Sequence, residues 1–262
     1  MTSSVRLSAL ATLRGRIERI ESQGDAYRPG RVALGHRYAD AALQGGLALG
    51  ALHEVFCEGG RQSAAASGFV ATLATRLAPR RPLVWVRQDF SEREAGVLSM
   101  SGLAELGLDP RRVVSVRATD AENALRAAAD ALACDAVGAV VLEVWGETRQ
   151  LDLVASRKLT LAAQGAGVTA LLLRIAASPI PSTAETRWIV RAASSPPAAS
   201  WSAWGAPRFD AELVRNRHGP LGRWIMEWIC DECLFKEGTA DSQPVAAAPA
   251  HRSHQAQRRA FG

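Results

Sequence analysis

The segment from Cys57 to Ala64 has the position and spacing of a phosphate-binding loop. A working loop follows G-x-x-x-x-G-K-[ST], in which backbone N–H groups cradle phosphates, the lysine neutralises them and the hydroxyl binds magnesium. Here both framework glycines, the lysine and the hydroxyl are replaced, and the positions are Cys57, Glu58, Gly59, Gly60, Arg61, Gln62, Ser63 and Ala64. We therefore expect a vestigial loop, with no nucleotide or other cofactor and no bound metal.

The charge of Glu58 strengthens this expectation. Two like charges about 4 Å apart repel by about 4 kcal/mol at an effective dielectric of about 20, so a carboxylate here opposes a triphosphate. A shifted register leaves one alternative, in which Gly59 and Gly60 form a shortened turn and Arg61 supplies the cation. Arginine is longer and planar where the loop lysine is a compact point charge, so the replacement is not conservative.

The residues for water activation and magnesium binding are also altered. Gln88 follows the second predicted strand, with Asp89 beside it, and an amide cannot act as a general base. Glu143 ends a Walker B-like strand and could hold magnesium through water. Because Ala64 offers no hydroxyl, a structural carboxylate is the preferred interpretation of Glu143. We expect no catalytic residues.

Cysteine spacing offers one further candidate site. Cys230 and Cys233 have the C-x-x-C spacing of redox and zinc sites, but neither a second such pair nor a histidine pair accompanies them. Structural cysteines are the simpler interpretation, and no metal site is predicted.

Strands and helices alternate along most of the chain. Apolar, β-branched runs predict strands at 51–56, 82–86, 113–117, 137–144, 168–175 and 188–193, with late strands at 209–216 and 224–229. Helices are predicted at 63–77, 92–106, 120–132 and 151–164. The pattern predicts an α/β fold, a doubly wound and largely parallel sheet with helices on both faces and antiparallel late strands.

Both ends of the chain differ from this central domain. In residues 1–23 the spacing of apolar residues predicts an amphipathic helix, whose apolar stripe is Leu7, Leu10, Leu13, Ile17 and Ile20. The stripe either packs on its own domain or docks on a partner or a second copy. Residues 237–262 have the composition of a disordered, mildly basic tail. In the loop before the late strands, Trp201 and Trp204 are candidate partner contacts, since aromatic residues are favoured at interface centres.

The composition fits a cytoplasmic globular protein. Lys and Arg outnumber Asp and Glu by 31 to 26, for a net charge of +5, which is far below the charge density of a dedicated nucleic-acid binder. The four cysteines show no secreted-type framework. The longest apolar runs are too short to cross a bilayer, so no membrane association is expected.

The segment from Gly45 to Phe56, which runs into a glycine-bearing loop and a helix, resembles the start of the ATP site in RecA-type recombinases. Its Gly-Ala-Leu-His-Glu sequence at 50–54 resembles the ImuA family, RecA-related proteins of bacterial damage-induced mutagenesis, some of them described as SulA-like. Residues 106–109 followed by 121–125, and the strand at 137–143, are similar to later recombinase segments in the same order. The resemblance covers roughly residues 30–230.

The resemblance implies a RecA-like domain over residues 24–236 and a role in SOS-induced translesion DNA synthesis. The implied partners are ImuB, a polymerase-like protein, and an error-prone C-family DNA polymerase. The two DNA-facing loops of the recombinase correspond to 145–150 and 176–187 here, which are short or poor in donors. Any contact with DNA is therefore expected to be weak or indirect.

Three functions are compatible with these observations. The first is a non-catalytic RecA-like accessory protein that acts through protein partners. The second is a residual or DNA-stimulated ATPase of the RecA superfamily, in which Arg61 replaces the lysine. The third is a SulA-like inhibitor of cell division, which ranks last because SulA relatives are much shorter.

Overall fold

The computed structural model describes residues 30–196 and 205–238. The predicted N-terminal helix, Trp201, Trp204 and the tail from residue 239 lie outside them. The strands are β1 (Arg31–Val32), β2 (Leu47–Ala48), β3 (Leu52–Cys57), β4 (Leu83–Gln88), β5 (Val113–Ala118), β6 (Ala139–Trp145), β7 (Thr169–Ile175), β8 (Thr186–Ala192), β9 (Arg208–Asn216), β10 (Gly222–Ile229) and β11 (Leu234–Glu237). The helices are α1 (Arg37–Ala42), α2 (Gly60–Leu77), α3 (Asp89–Ala95), α4 (Met100–Glu105), α5 (Ala121–Leu132) and α6 (Leu153–Ala166).

A nine-stranded sheet in the order β11-β10-β9-β8-β3-β7-β6-β4-β5 forms the centre of the fold. Six neighbouring strands are parallel, namely β5, β4, β6, β7, β3 and β8. The pairs β8–β9, β9–β10 and β10–β11 are antiparallel. This is the predicted RecA-like architecture with antiparallel late strands, and the fold prediction is confirmed. Because parallel strands end at one edge, the residues after β3, β4, β6 and β7 meet there, where open α/β sheets bind ligands.

Helices cover both faces of the sheet. On one face, α2 packs against β3, β7 and β8 over a core that contains Phe69, Trp188 and Phe235, all fully buried. On the other face, α5 and α6 bury their alanine-rich and leucine-containing sides against the apolar strands β6 and β7. The run predicted as a doubly buried strand is β6, and six of its seven residues are buried. Apolar residues on both faces explain why it lacks period-two alternation.

The helix predicted at 92–106 is two helices, α3 and α4. Gly96 ends α3 with φ of 76°, a left-handed conformation that favours glycine. Ser99 begins α4, because its hydroxyl accepts a hydrogen bond from Gly102 N at 3.1 Å. The helical periodicity continued across this break, which concealed it in the sequence.

Four short elements occur where no regular structure was predicted. In the glycine-rich stretch before β3, the strands β1 and β2 pair with each other, and α1 is capped by His36, whose Nδ1 accepts from Ala39 N. β11 continues the sheet beyond β10 and ends at Glu237, the first residue of the predicted tail. Elements this short carry too few residues to show a period.

Within residues 30–196 and 205–238, no helix is both long enough and apolar enough to span a membrane.

Candidate functional site

The junction between β3 and α2 is shorter than a phosphate loop. β3 ends at Cys57 and α2 begins at Gly60, so only Glu58 and Gly59 connect them. Gly59 has φ of 149°, and this conformation turns the chain directly into the helix. The helix was predicted to begin at Ser63 and begins three residues earlier. The remaining positions of the predicted loop are therefore helical, and no extended turn is left to encircle a phosphate.

An indole ring lies against the first residue of α2. A Cβ atom placed on Gly60 would be 3.3 Å from Cη2 and 3.5 Å from Cζ2 of Trp145, so the ring edge packs on the Gly60 backbone. The Phe90 ring supports the indole from another side, with a centroid distance of 6.3 Å and an edge-to-face angle of 69°. A free helix N-terminus attracts anions, and here the Trp145 ring borders one side of Gly60, which is itself exposed.

The polar side chains of the vestigial loop bind protein groups. Glu58 forms an ion pair of 2.7 Å with Arg191 of β8, and Gln62 accepts a hydrogen bond of 2.7 Å from Ala192 N. Ser63 donates to Gly60 O at 2.7 Å, within the helix. Since Arg191 compensates the Glu58 carboxylate, the repulsion expected from that charge is smaller than the sequence suggested. The loop is instead fastened to the neighbouring strand.

Arg61 and Ala64 are exposed, and Cys57 is buried. Burial raises the pKa of the Cys57 thiol, which keeps it protonated and unreactive at neutral pH. Arg61 is thus the one cationic side chain of the vestigial loop, and it lies in the first turn of α2.

Glu143 is a buried structural carboxylate. Arg87 binds it with two hydrogen bonds of 3.0 Å, from Nη2 to Oε1 and from Nε to Oε2, and Trp85 Nε1 donates to Oε2 at 3.0 Å. Glu143 is fully buried and Arg87 is 6% exposed. A guanidinium therefore holds the carboxylate that would face magnesium in an ATPase, in the bidentate geometry that arginine favours.

Both candidates for water activation have hydrogen-bond or ion-pair partners. Gln88 Oε1 accepts from Trp145 N at 3.4 Å, which ties the end of β4 to the end of β6. Asp89 lies 3.2 Å from Arg117 Nε, and Glu92 binds the same nitrogen at 3.2 Å. Both residues at the end of β4 therefore have structural partners.

The loops after β6 and β7 are fastened to each other. Glu147 Oε1 accepts from Ser178 N at 2.6 Å, and this hydrogen bond lowers the pKa of Glu147. Arg174 Nη2 donates to Gly146 O at 3.0 Å from a buried position. Arg187, the arginine that ends the second loop, turns inward to Glu54 at 2.6 Å. These side chains hold the loops in place instead of extending donors to solvent.

Cys230 and Cys233 form the turn between β10 and β11. Cys233 N donates to Cys230 O at 3.3 Å, and the Cys233 side chain packs against Gly107. Within the described ranges, no group of three or more His, Cys, Asp or Glu residues could hold a metal ion. Both cysteines act as turn residues here.

His53 is a core residue that joins three strands. Its Nδ1 lies 2.8 Å from Thr186 Oγ1 in β8 and its Nε2 lies 2.9 Å from Ala48 O in β2. Burial lowers the pKa of His53 to about 4. The ring is therefore neutral at physiological pH, and both the ring and the Thr186 hydroxyl beside it are buried.

We expect His53 to make stability depend on pH. The unfolded histidine titrates near pH 6.5, so between about pH 6.5 and 4 the unfolded chain binds a proton that the native chain does not. Above about pH 6.5 the neutral His53 makes its full contribution to the free energy of unfolding. Between about pH 6.5 and 4, that free energy falls by up to about 1.4 kcal/mol per pH unit as the pH drops. Urea unfolding at several pH values should show a steeper acid dependence in the native chain than in His53→Gln. Equal slopes for His53→Gln and the native chain would contradict this role.

The structure brings together much of the predicted site and adds residues that the sequence did not indicate. The ends of β3, β4 and β6 place the vestigial loop, Gln88 and Trp145 at one edge of the sheet. Arg87 and Trp85 were missed as partners of Glu143. The sequence signal for these partners is their spacing. Trp85 and Arg87 lie two residues apart in β4, so both lie on the same face of the sheet as Glu143 in β6. The candidate contacts Leu7, Leu10, Leu13, Ile17, Ile20, Trp201 and Trp204 lie outside the described residues.

Comparison with known proteins finds two relatives that carry the same name. No protein-family model matches the chain. The chain is 34% identical over 197 residues to Protein ImuA of Caulobacter vibrioides strain NA1000 / CB15N, which covers 70% of this chain and 77% of that protein. Protein ImuA of Caulobacter vibrioides strain ATCC 19089 / CIP 103742 / CB 15 matches with the same identity and coverage. With a RecA-like fold and a relative of this identity and length, the chain belongs to the ImuA family.

Proposed function

We propose that this chain is a non-catalytic RecA-like accessory protein of SOS-induced translesion DNA synthesis. It acts through protein partners, namely an ImuB-type polymerase-like protein and an error-prone C-family DNA polymerase. Membership of the ImuA family supports a role related to damage-induced mutagenesis. The non-catalytic part of the proposal comes from the site itself.

One arrangement carries the proposal, namely protein groups in the places that Mg-ATP would need. Trp145 packs on Gly60 at the start of α2, and Arg87 holds Glu143 through both carboxylate oxygens. A nucleotide at the start of α2 would meet an indole that is supported by Phe90, and a metal at Glu143 would have to displace a buried guanidinium. Breaking such a buried pair is strongly unfavourable.

The proposed contacts with DNA are weak or indirect. The loop after β6 and the loop after β7 are joined through Glu147 and Ser178, and Arg187 points to Glu54. The loop after β6 keeps an exposed arginine, Arg149, whereas nonspecific affinity for a phosphate backbone comes from several such cations acting together. This supports function through protein contacts, with Trp201 and Trp204 as the proposed partner-facing residues.

Binding to the two proposed partners tests this function. We expect the full chain to capture the ImuB-type protein or the C-family polymerase, and the double variant Trp201→Ala/Trp204→Ala to bind about 30-fold more weakly. This magnitude corresponds to the cost of about 2 kcal/mol or more for an interface hot spot. Phe90→Ala, an exposed aromatic at the sheet edge, is the matched control and should bind like the native chain. Absence of binding to either partner would overturn the proposal.

The exposed position of Arg61 in the first turn of α2 favours one second candidate, a residual or DNA-stimulated ATPase. ATP hydrolysis with and without single-stranded DNA separates the two functions, with Arg61→Ala as the variant and Arg149→Ala, an exposed arginine of the loop after β6, as the control. We expect no hydrolysis above background for the native chain. A rate that Arg61→Ala abolishes and Arg149→Ala preserves would establish the ATPase instead.

A further inference from the structure

A groove of about 650 Å³ runs between α5 and α6, on the sheet face opposite α2. Its apolar lining comes from Leu125 and Ala129 of α5 and from Val154, Ala155 and Leu159 of α6. Alanine at two of these positions leaves room for another backbone to approach closely. An apolar groove between two helices is the kind of surface that can take an amphipathic helix by its apolar face.

The helix α6 carries aliphatic residues on its solvent side as well as its buried side. Leu153 is 52% exposed, Val154 is 61% exposed and Leu161 is 56% exposed. A helix that packs on a sheet by one face normally presents polar residues on the other. Three exposed aliphatic side chains within one 14-residue helix therefore form an apolar patch beside the groove, interspersed with the exposed Arg157, Lys158 and Gln164.

The described chain begins beside the C-terminal end of α6, whereas the groove lining in α6 ends at Leu159. Gly30 O accepts from Leu49 N at 2.7 Å, and the next residue, Gly50, packs against the backbone of Gly167, the C-cap of α6. Residues 1–29 therefore join the domain beside the C-terminal end of α6. Residues 21–29 can span up to about 30 Å when extended, which is longer than α6 at about 1.5 Å per residue.

The apolar stripe of residues 1–23 matches α6 in length and is opposite to the groove in charge. From Leu7 to Ile20 a helix would measure about 21 Å, which is also the length of a helix such as α6. Arginines flank the stripe at positions 6, 14, 16 and 19, with one glutamate at position 18. The groove is bordered by acids at 122, 130 and 152 and by bases at 126 and 158, so its net charge is opposite to that of the stripe.

We propose that the stripe Leu7, Leu10, Leu13, Ile17 and Ile20 docks as a helix in the α5–α6 groove of the same molecule. The docked helix covers Val154 in the groove and continues along α6 over the exposed Leu161, and its arginines face the acidic border of the groove. Of the two alternatives that the sequence left open, this assigns the stripe to its own domain. The inference is independent of the nucleotide site and of the proposed partners.

Hydrogen exchange of the full chain, followed by mass spectrometry, tests the docking. We expect amides of residues 7–20 to be protected at low protein concentration, and Val154→Glu to reduce that protection at least tenfold. Val97→Glu is the matched control, because Val97 is 74% exposed and lies between α3 and α4, away from the groove. It should leave the protection unchanged.

Reciprocal variants keep the test decisive. Leu13→Glu should expose amides of α5 and α6 along the groove, and Leu161→Glu should act like Val154→Glu if one of the two variants folds poorly. Circular dichroism monitors folding. Unprotected residues 7–20, or equal protection in the native chain and both groove variants, would overturn the proposal. Protection that appears only as the protein forms a dimer in sedimentation would also overturn it and assign the groove to a second copy.

Discussion

Replacing Arg87 by alanine is expected to lower the free energy of unfolding by about 3 to 5 kcal/mol, the cost of leaving one partner of a buried ion pair alone. Glu143 is fully buried and would keep only the hydrogen bond from Trp85. The Arg87 hydrogen bond to Gly96 O, which ties the end of α3 to β4, would be lost as well. Urea unfolding followed by tryptophan fluorescence measures the loss.

Two controls separate the buried pair from a general effect of removing arginine. Arg117→Ala removes an arginine whose side chain is 61% exposed and paired with Asp89, so it should cost less than about 1 kcal/mol. The double change Arg87→Met/Glu143→Leu removes both charges, and it should recover most of the loss, because an apolar replacement of a buried pair is often neutral. A loss below about 1 kcal/mol for Arg87→Ala would show that the pair is not the structural element described above.

Phe69→Ala should destabilise the protein by about 3 to 5 kcal/mol, the usual cost of truncating a buried phenylalanine. Phe69 of α2 is fully buried, and its ring lies 5.5 to 5.8 Å from the rings of Phe209, Phe235 and Trp188. These contacts join the helix that follows the vestigial loop to the strands β8, β9 and β11. The truncation would leave a cavity at the centre of this aromatic cluster.

Phe90→Ala is the matched control for Phe69→Ala. Phe90 is 43% exposed and contacts Trp145, so its truncation should cost about 1 kcal/mol or less. Phe69→Leu keeps most of the volume and should cost less than about 1.5 kcal/mol. If Phe69→Ala and Phe90→Ala gave equal shifts in the urea midpoint, α2 would not be anchored to the late strands in this way.

The parallel core could be predicted from the sequence because its signal is local. The apolar run of β6 and the alanine-rich helix after Gly59 each show their structure within a few residues, and the order of strands and helices then fixes a doubly wound sheet. The short β11 could not be predicted, since its four residues are stable only when paired with β10.

The sequence shows which residues of a nucleotide site are missing, but it does not show which side chains take their place. The absence of the lysine and the hydroxyl is visible at Ser63 and Ala64. The partner of Glu143 is not, because Arg87 lies 56 residues earlier and meets it only through the register of β4 against β6. The packing of Trp145 on Gly60 likewise depends on how β6 lies relative to α2.

The central claim is that the β3–α2 junction does not bind a triphosphate. Measuring the melting temperature of the full chain at increasing Mg-ATP concentrations tests it. A ligand at about one hundred times its Kd stabilises the folded state by about 2.7 kcal/mol, which is easily measured. We predict no change in melting temperature at any ATP concentration, for the native chain and for Arg61→Ala alike. A saturable rise in the native chain that disappears in Arg61→Ala would contradict the account.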